Sequence, residues 1–431
     1  MRLFVVLVLL YPCISRAQDD TVMLRGLSVY HGSEDLRFPV LVRKVDSEGK
    51  PVGKYGQITV QFDIVAIHPP SLKIQFWHCN RDWKPDENLF VTDQNHNTSF
   101  YLEYVDSPGG VEGYRYRYVN KFPDDGNAVR FDYSGNWIFR ITDRKEALVL
   151  GEGRFFVVDD VVTPAVTVTN QYLTANTSPL NQIQEVTARI TLPQEIDAPY
   201  FTTVDVYQNR RLYNPYRIDE WDRDSYTMVK GQATGVRTFS ISNILPGNEY
   251  RTLDLSNTTR YPNKSLVRAI EGVDQIRLYW RTGKDRDGTA ALNKFGGLQS
   301  DYLEVLFRLD MTSTDYRSAT SGGREIYIAG AFNFWNPGVE DKLYWNSDER
   351  AYVVQKLLRR GIYDYQYVAG VWNSRSAQVV NQDWVALEGN DWRTTNTYRV
   401  FVYYNDPRFG GFDRIVGYGI GESTQALPGS H

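Results

Sequence analysis

Apolar and polar residues alternate with a period of two through most of the chain, the pattern of a strand with one face in a core. Ile74, Phe76 and His78 alternate with Gln75, Trp77 and Cys79, and Trp137, Phe139 and Ile141 with Ile138, Arg140 and Thr142. Val186, Ala188, Ile190 and Leu192 form one face of another strand, and Leu303, Val305, Phe307 and Leu309 repeat the pattern. Ile276, Leu278 and Trp280, alternating with Arg277, Tyr279 and Arg281, predict a half-buried strand. Residues 398–404 are almost wholly apolar or aromatic, which predicts a central strand covered on both faces. Turn signals separate these runs: Pro108-Gly109-Gly110, Asp124-Asp125-Gly126-Asn127, Ser134-Gly135-Asn136, Pro246-Gly247-Asn248 and Gly322-Gly323. No long amphipathic helical pattern interrupts them. The prediction is an all-β chain of tandem immunoglobulin-like β-sandwich modules.

Composition marks the boundaries. Residues 155–160 read as a closing strand with an acidic end, and 161–179, rich in Thr, Val, Asn and Pro, as a linker. A Ser/Thr/Gly-rich stretch at 312–323 makes a second boundary. The predicted modules are 18–160, 161–314 and 315–431, with 424–431 a frayed tail. Residues 1–17 read as a signal peptide: Arg2 supplies the positive region, residues 3–10 the apolar one, and Ser15-Arg16-Ala17 the cleavage site. Tyr11-Pro12 before Cys13 is a poor lipidation site. No later segment is apolar enough to span a bilayer. The expectation is an exported, periplasmic chain without a transmembrane segment in its mature form.

Charge and chemistry narrow the reading. Cleavage would remove Arg2 and Arg16 from 48 basic side chains, leaving 46 against 52 acidic ones, a net charge of −6. That excess is the wrong sign for a nucleic-acid partner. Only Cys79 would remain, so no intrachain disulfide can form and the fold must stand on its core. The five histidines (His31, His68, His78, His96 and His431) show no metal-ligand spacing, and adjacent His78 and Cys79 point to opposite faces of a strand. Gly417, Gly419 and Gly421 lack the helix a phosphate loop needs, and Asp285-Arg286-Asp287-Gly288 lacks the distal ligands of a calcium loop, so it reads as a tight turn. No nucleophile elbow or Walker pattern occurs. The expectation is a chain that is not an enzyme and has no cofactor and no metal. A hydrolase too diverged to read would need carboxylates, or a nucleophile and a base, brought together by the fold.

Residues 325–337 run from a strand into an aromatic turn and look like the opening strand of sandwiches that bind starch or glycogen. Phe332, Phe334 and Trp335 could stack on sugar rings there. The favoured reading is that they staple the turn to the module's core.

Several segments, in order, resemble the plug protein family of the bacterial type IX secretion system. They are Trp77-His78-Cys79-Asn80-Arg81-Asp82-Trp83, Ser134-Gly135-Asn136-Trp137 and Gly153-Arg154-Phe155-Phe156-Val157-Val158 in the first module. Gly247-Asn248-Glu249-Tyr250-Arg251 follows in the middle. Gly361-Ile362-Tyr363-Asp364-Tyr365-Gln366-Tyr367, Glu388-Gly389, Thr395-Asn396-Thr397-Tyr398, Val402-Tyr403-Tyr404 and Phe412-Asp413-Arg414 complete the series. Residues 105–126 and 199–245 fall outside the resemblance. What it implies is a periplasmic, non-enzymatic protein that closes the periplasmic mouth of a large outer-membrane translocon barrel while no cargo is in transit. Its partner is then that barrel, and exposed aromatics are the expected anchors, with Trp83, Phe332, Phe334 and Trp335 as candidates. The alternative is a carbohydrate-binding β-sandwich protein of the cell envelope, with a glycan on the last module.

Overall fold

The computed structural model describes residues 22–425 apart from 33–36, 93–96, 173–181, 194–199, 232–234, 281–284, 294–299, 312–318 and the single positions 47, 127, 147, 223 and 278. The expected signal peptide with Arg2 and Cys13, and His96, Leu278, Arg281 and His431, lie outside the described residues, as do parts of both predicted linkers.

The chain is all-β, as its period-two patterning predicts, and folds as three sandwiches. In the first, strands Met23–His31, Ile58–Val65, Tyr116–Phe122 and Tyr104–Asp106 form one sheet in that order. The facing sheet runs Val40–Arg43, Val149–Asp159, Gly135–Asp143, Leu72–Cys79, Thr98–Ser99. Ile74, Phe76, Trp137, Phe139 and Ile141, the inward positions of the alternation, share one core with Val60, Phe62 and Ile64 of the opposite sheet.

In the second sandwich, the sheet Ala165–Tyr172, Gln182–Thr191, Val236–Ile244, Thr227–Lys230 faces the sheet Tyr216–Asp219, Thr203–Gln208, Thr397–Asp406, Phe412–Glu422. Val186, Ala188 and Ile190 meet Val204, Val206, Val400 and Val402 in its core. Residues 398–404 do form a central strand, but of this sandwich. The third sandwich is built around two strands, Gly361–Asn373 and Tyr302–Asp310, whose sheets share the core of Leu303, Val305, Phe307, Ile328 and Tyr365. Its strands run from Arg251–Asp254 to Gln378–Asp383.

The boundaries expected at 161–314 and 315–431 therefore do not describe the packing. The third sandwich is inserted between two strands of the second, and the last two strands return to complete the second. The boundary expected at 312–323 falls between Tyr302–Asp310 and Glu325–Gly330, two strands of the third sandwich. Two shorter expectations also change. The alternation at 276–280 is not part of a described strand: the strand there is Asp274–Gln275, Ile276 packs on the core, the Arg277 amide donates to the Leu387 carbonyl, and Tyr279 is 83% exposed. Gly417, Gly419 and Gly421 form a bare stripe on the strand Phe412–Glu422, against which Val162, Pro164 and Val166 lie so closely that a Cβ would come within 2.5–2.8 Å of them. Strand packing, not phosphate binding, uses these glycines.

Cys79 is fully buried, and burial is the main reason its thiol is pushed up to about 12. It is an inert core residue. Among the described residues no helix is long and apolar enough to cross a membrane.

The insertion makes a direct prediction. Residues 18–314 alone lack Thr397–Asp406, which pairs with Thr203–Gln208 on one side and Phe412–Glu422 on the other. That fragment should show cooperative unfolding of the first sandwich only, in calorimetry and in hydrogen exchange. A protected second sandwich in the fragment would contradict the nested architecture.

Candidate functional site

The segments that carry the family resemblance converge on the seams between sandwiches. Asp159 ends the strand Val149–Asp159 and is wholly buried. Parallel pairing sets Arg43 opposite it, and Arg43 Nε donates to Asp159 Oδ1 at 2.7 Å. Ser134 Oγ donates to Oδ2 at 2.7 Å, and Arg414 Nη2, from the second sandwich, to the same oxygen at 2.6 Å. Arg414 also donates through Nη1 to Asp406 at 2.8 Å, and Arg408 caps Asp406 in turn. A carboxylate removed from water needs this density of donors. Ser134 and Arg414 belong to two motifs that are distant in sequence, and Asp159 is where they meet.

Trp83 belongs to the same seam. The Asn80 side chain accepts the amides of Asp82 and Lys84 at 3.0 Å each, folding the loop back, and Trp83 sits at its turn in a left-handed conformation (φ 62°). Its ring meets Phe156 edge-on at 5.1 Å, and Phe156 stacks at 4.1 Å on Phe401 of the second sandwich. Arg154 lies between Trp83 (4.6 Å) and Tyr213 (4.0 Å), a cation held by two ring faces. Arg81 reaches Thr203 at 2.5 Å and Asp219 at 2.8 Å, while Arg217 grips Asp205 with two hydrogen bonds and also pairs with Asp82. His78 Nδ1 lies 2.5 Å from Asp86 and Nε2 2.9 Å from the Ser134 carbonyl, and Asn136 accepts the Tyr403 hydroxyl at 2.8 Å. The signature around Trp83 thus fastens the first sandwich to the second. Trp83 itself is half-buried there.

The first and third sandwiches meet at Tyr302. Its hydroxyl donates at 2.8 Å to Asp63, which Arg117 holds with two bonds of 2.6 Å. The Tyr302 side chain lies against Gly26 and Gly113, where a Cβ would come within 2.3 and 2.7 Å of it.

The second and third meet along the two connections of the insertion. Asn209 Nδ2 donates to Asn396 at 2.8 Å, and Asn248 Nδ2 donates to the carbonyls of Tyr279 and Glu388. Glu249 accepts the Thr395 amide at 2.9 Å. The turn at Asp285-Arg286-Asp287-Gly288 directs the amides of Arg286 and Gly288 onto Asp364, at 2.7 and 3.0 Å. Burial, opposed by the Thr395 amide and reinforced by the Asp285 charge, raises Glu249 to about 7, and burial with the same Asp285 charge raises Asp364 to about 7. Inside the third sandwich, Arg251 pairs with Asp274 (2.7 Å) and Glu388 (2.9 Å), and the hydroxyls of Tyr365 and Tyr367 donate to Asp274.

The aromatic turn is not a sugar platform. Trp335 is 1% exposed, its Nε1 donates to the Gly288 carbonyl at 2.7 Å, and its ring lies 4.4 Å from Tyr250. Asn333 ties the turn down by accepting the Gly330 amide and donating to the Ile328 carbonyl. Phe332 packs on the third core and Phe334 on the first. Both are half-buried, so the rings staple the turn and bridge two sandwiches.

The exposed rings lie elsewhere. Leu89 is 84% and Phe90 70% exposed on the loop after Leu72–Cys79, and Phe90 stacks at 5.6 Å on Phe409, from the turn before Phe412–Glu422. Asn88 Nδ2 fixes the two loops together through the Phe409 carbonyl at 2.8 Å. Period-two reading could not find this pair, because both rings sit on loops. Nor does sequence single out Asp159, Arg43, Asp63 or Arg117. Asp159 shows only as part of the acidic end of residues 155–160. Among the described residues no group of three or more His, Cys, Asp or Glu is arranged to hold a metal ion.

Two outcomes test these seams. Asp159→Ala leaves Arg43 and Arg414 buried without their shared partner and is expected to cost roughly 3–5 kcal/mol in urea unfolding; a loss under about 1 kcal/mol would mean that the network is dispensable. Glu249 and Asp364 have folded-state values above the unfolded ones. Their stabilisation is therefore complete below about pH 4 and is lost as pH rises through about 7. The melting temperature should be higher at pH 5.5 than at pH 8.5, and Glu249→Gln should narrow that gap; an unchanged gap would show that Glu249 does not titrate in this way.

Comparison with known proteins agrees with this anatomy. A crystal structure of a hypothetical protein from Parabacteroides merdae superposes with a TM-score of 0.70 over 93% of this chain and 97% of that one, at 20% identity, a likeness of fold. No curated protein matches. The family described as type 9 secretion system plug protein 1st domain matches residues 39–159. That span runs from the strand Val40–Arg43 to Asp159, and so covers nearly all of the first sandwich with its Trp83 loop. The first sandwich of this chain is thus similar to the first domain of type 9 secretion system plug proteins, the family that the order of the motifs indicated.

Proposed function

We propose that this protein is a non-enzymatic plug of the type IX secretion system, held in the periplasm at the mouth of the outer-membrane translocon barrel, which it closes between export events. The observation that carries the reading is the family match over the first sandwich, joined by the further motifs on the other two. The architecture supports it. A plug must resist deformation, and buried ion pairs and stacked rings fasten the first sandwich to the second, while the Tyr302 hydroxyl and side-chain amides tie the third to both. It also needs anchors for a partner, and the Phe90–Phe409 pair with Leu89 is a fixed, solvent-facing apolar knob of the kind that dominates binding energy when covered. No observation favours the carbohydrate-binding alternative once Trp335 is buried.

The test is an affinity capture from detergent-solubilised envelope of the native host, using the tagged chain without residues 1–17. A very large outer-membrane barrel recovered in stoichiometric amount is the expected result. Its absence, or recovery of polysaccharide, would overturn the proposal. Phe90→Ala with Phe409→Ala should lower recovery about tenfold, a loss of ~1.4 kcal/mol, and leave the melting temperature unchanged.

A further inference from the structure

A cavity of about 120 Å³ lies where all three sandwiches meet. Leu27 of the first sandwich, Leu212 of the second and Leu292, Phe332 and Leu357 of the third line it, with Phe334 crossing between sandwiches. An apolar cavity of about 150 Å³ is enough to take up benzene and stays dry when empty. This one is close to that size and its body is apolar.

It is not apolar throughout. Arg359 lines it and is only 6% exposed. The Arg359 Nη2 donates to the Asn293 carbonyl at 2.7 Å, while Nε is buried and has no hydrogen-bond partner among the described residues. No carboxylate among the described residues forms an ion pair with Arg359, although most of the other buried arginines here have one. The undescribed stretch that follows Asn293, residues 294–299, contains no Asp or Glu. Asp63, the buried acid of this junction, is already held by Arg117 and the Tyr302 hydroxyl. A guanidinium taken out of water without a counter-ion is costly. Beside an apolar void, it is half of a recognition site.

We infer that this junction binds a small organic carboxylate, its hydrocarbon body of about six carbons filling the cavity and its carboxylate pairing with Arg359. The same chemistry is offered by a free short-chain or aryl acid and by the terminal carboxylate of a partner chain that ends in an apolar residue. Bound there, the ligand touches all three sandwiches and raises the stability of their junction by mass action.

Calorimetric titration and thermal shift of the intact protein test this with hexanoate, hexanol, and a short peptide ending in leucine, free or amidated at its C-terminus. Hexanoate is expected to bind at least about tenfold more tightly than hexanol and to raise the melting temperature. Arg359→Met should abolish that preference while leaving hexanol binding in place. Ala290→Leu, which fills the cavity from its wall, should abolish binding of both and needs no change at the arginine. The free-acid peptide binding in preference to its amide and to hexanoate would assign the site to a chain terminus; hexanoate binding alone would assign it to a free acid. Failure of both acids to saturate the wild-type protein at millimolar concentration, or equal affinity for hexanoate and hexanol, would reduce the cavity to a packing gap and overturn the inference.

Discussion

Asp159 has no contact with water, so its charge must be answered from within the protein, and the answer comes from two sandwiches at once. Arg43 and Ser134 approach from the first and Arg414 from the second, and Arg414 carries the chain of ion pairs on to Asp406. Separating the two sandwiches would take Arg414, with its ion-pair chain to Asp406, away from Asp159, a larger penalty than breaking an exposed salt bridge. Other seam contacts can be read as consequences. The Trp83 loop can close over Phe156 because the strands beneath it are already registered, and Arg154 can be desolvated between Trp83 and Tyr213 because that register places both rings.

The insertion of the third sandwich into the second adds a covalent constraint to these polar ones. A domain attached by one linker is free to swing. This one enters through Leu245 to Tyr250 and leaves through Trp384 to Asn396, and both connections are stitched by side-chain amides and by Glu249 and Thr395. The Asp285 turn, the Trp335 turn and Tyr250 then pack into one another, so the part of the third sandwich that looks most like a ligand platform is spent on holding the junction. The knob of Leu89, Phe90 and Phe409 is displaced from that junction onto loops and stays exposed.

Much of the fold was legible. The alternation at 74–79, 137–142, 186–192 and 303–309 marks strands and gives their inward faces, because a half-buried strand repeats every two residues whatever it pairs with. The same rule misread 276–280, where the described strand ends at Gln275. The candidate site was legible only as motifs. Trp83, Ser134, Asn136, Glu249 and Arg414 were visible as family-like residues, but nothing local says that Ser134 and Arg414 bind the same carboxylate.

By itself, then, the sequence determined an all-β chain, its principal strands with their buried faces, and a family resemblance spread across its length. Tertiary structure decided which strands share a sheet, that the chain's last two strands return to the second sandwich, that Trp335 is buried rather than displayed, and that Phe90 and Phe409 stack on the surface. The reason is range. Periodicity is set by a residue's immediate neighbours. Sheet partnership, burial of a turn and neutralisation of a charge depend on residues hundreds of positions away, and they exist only once the chain has closed on itself.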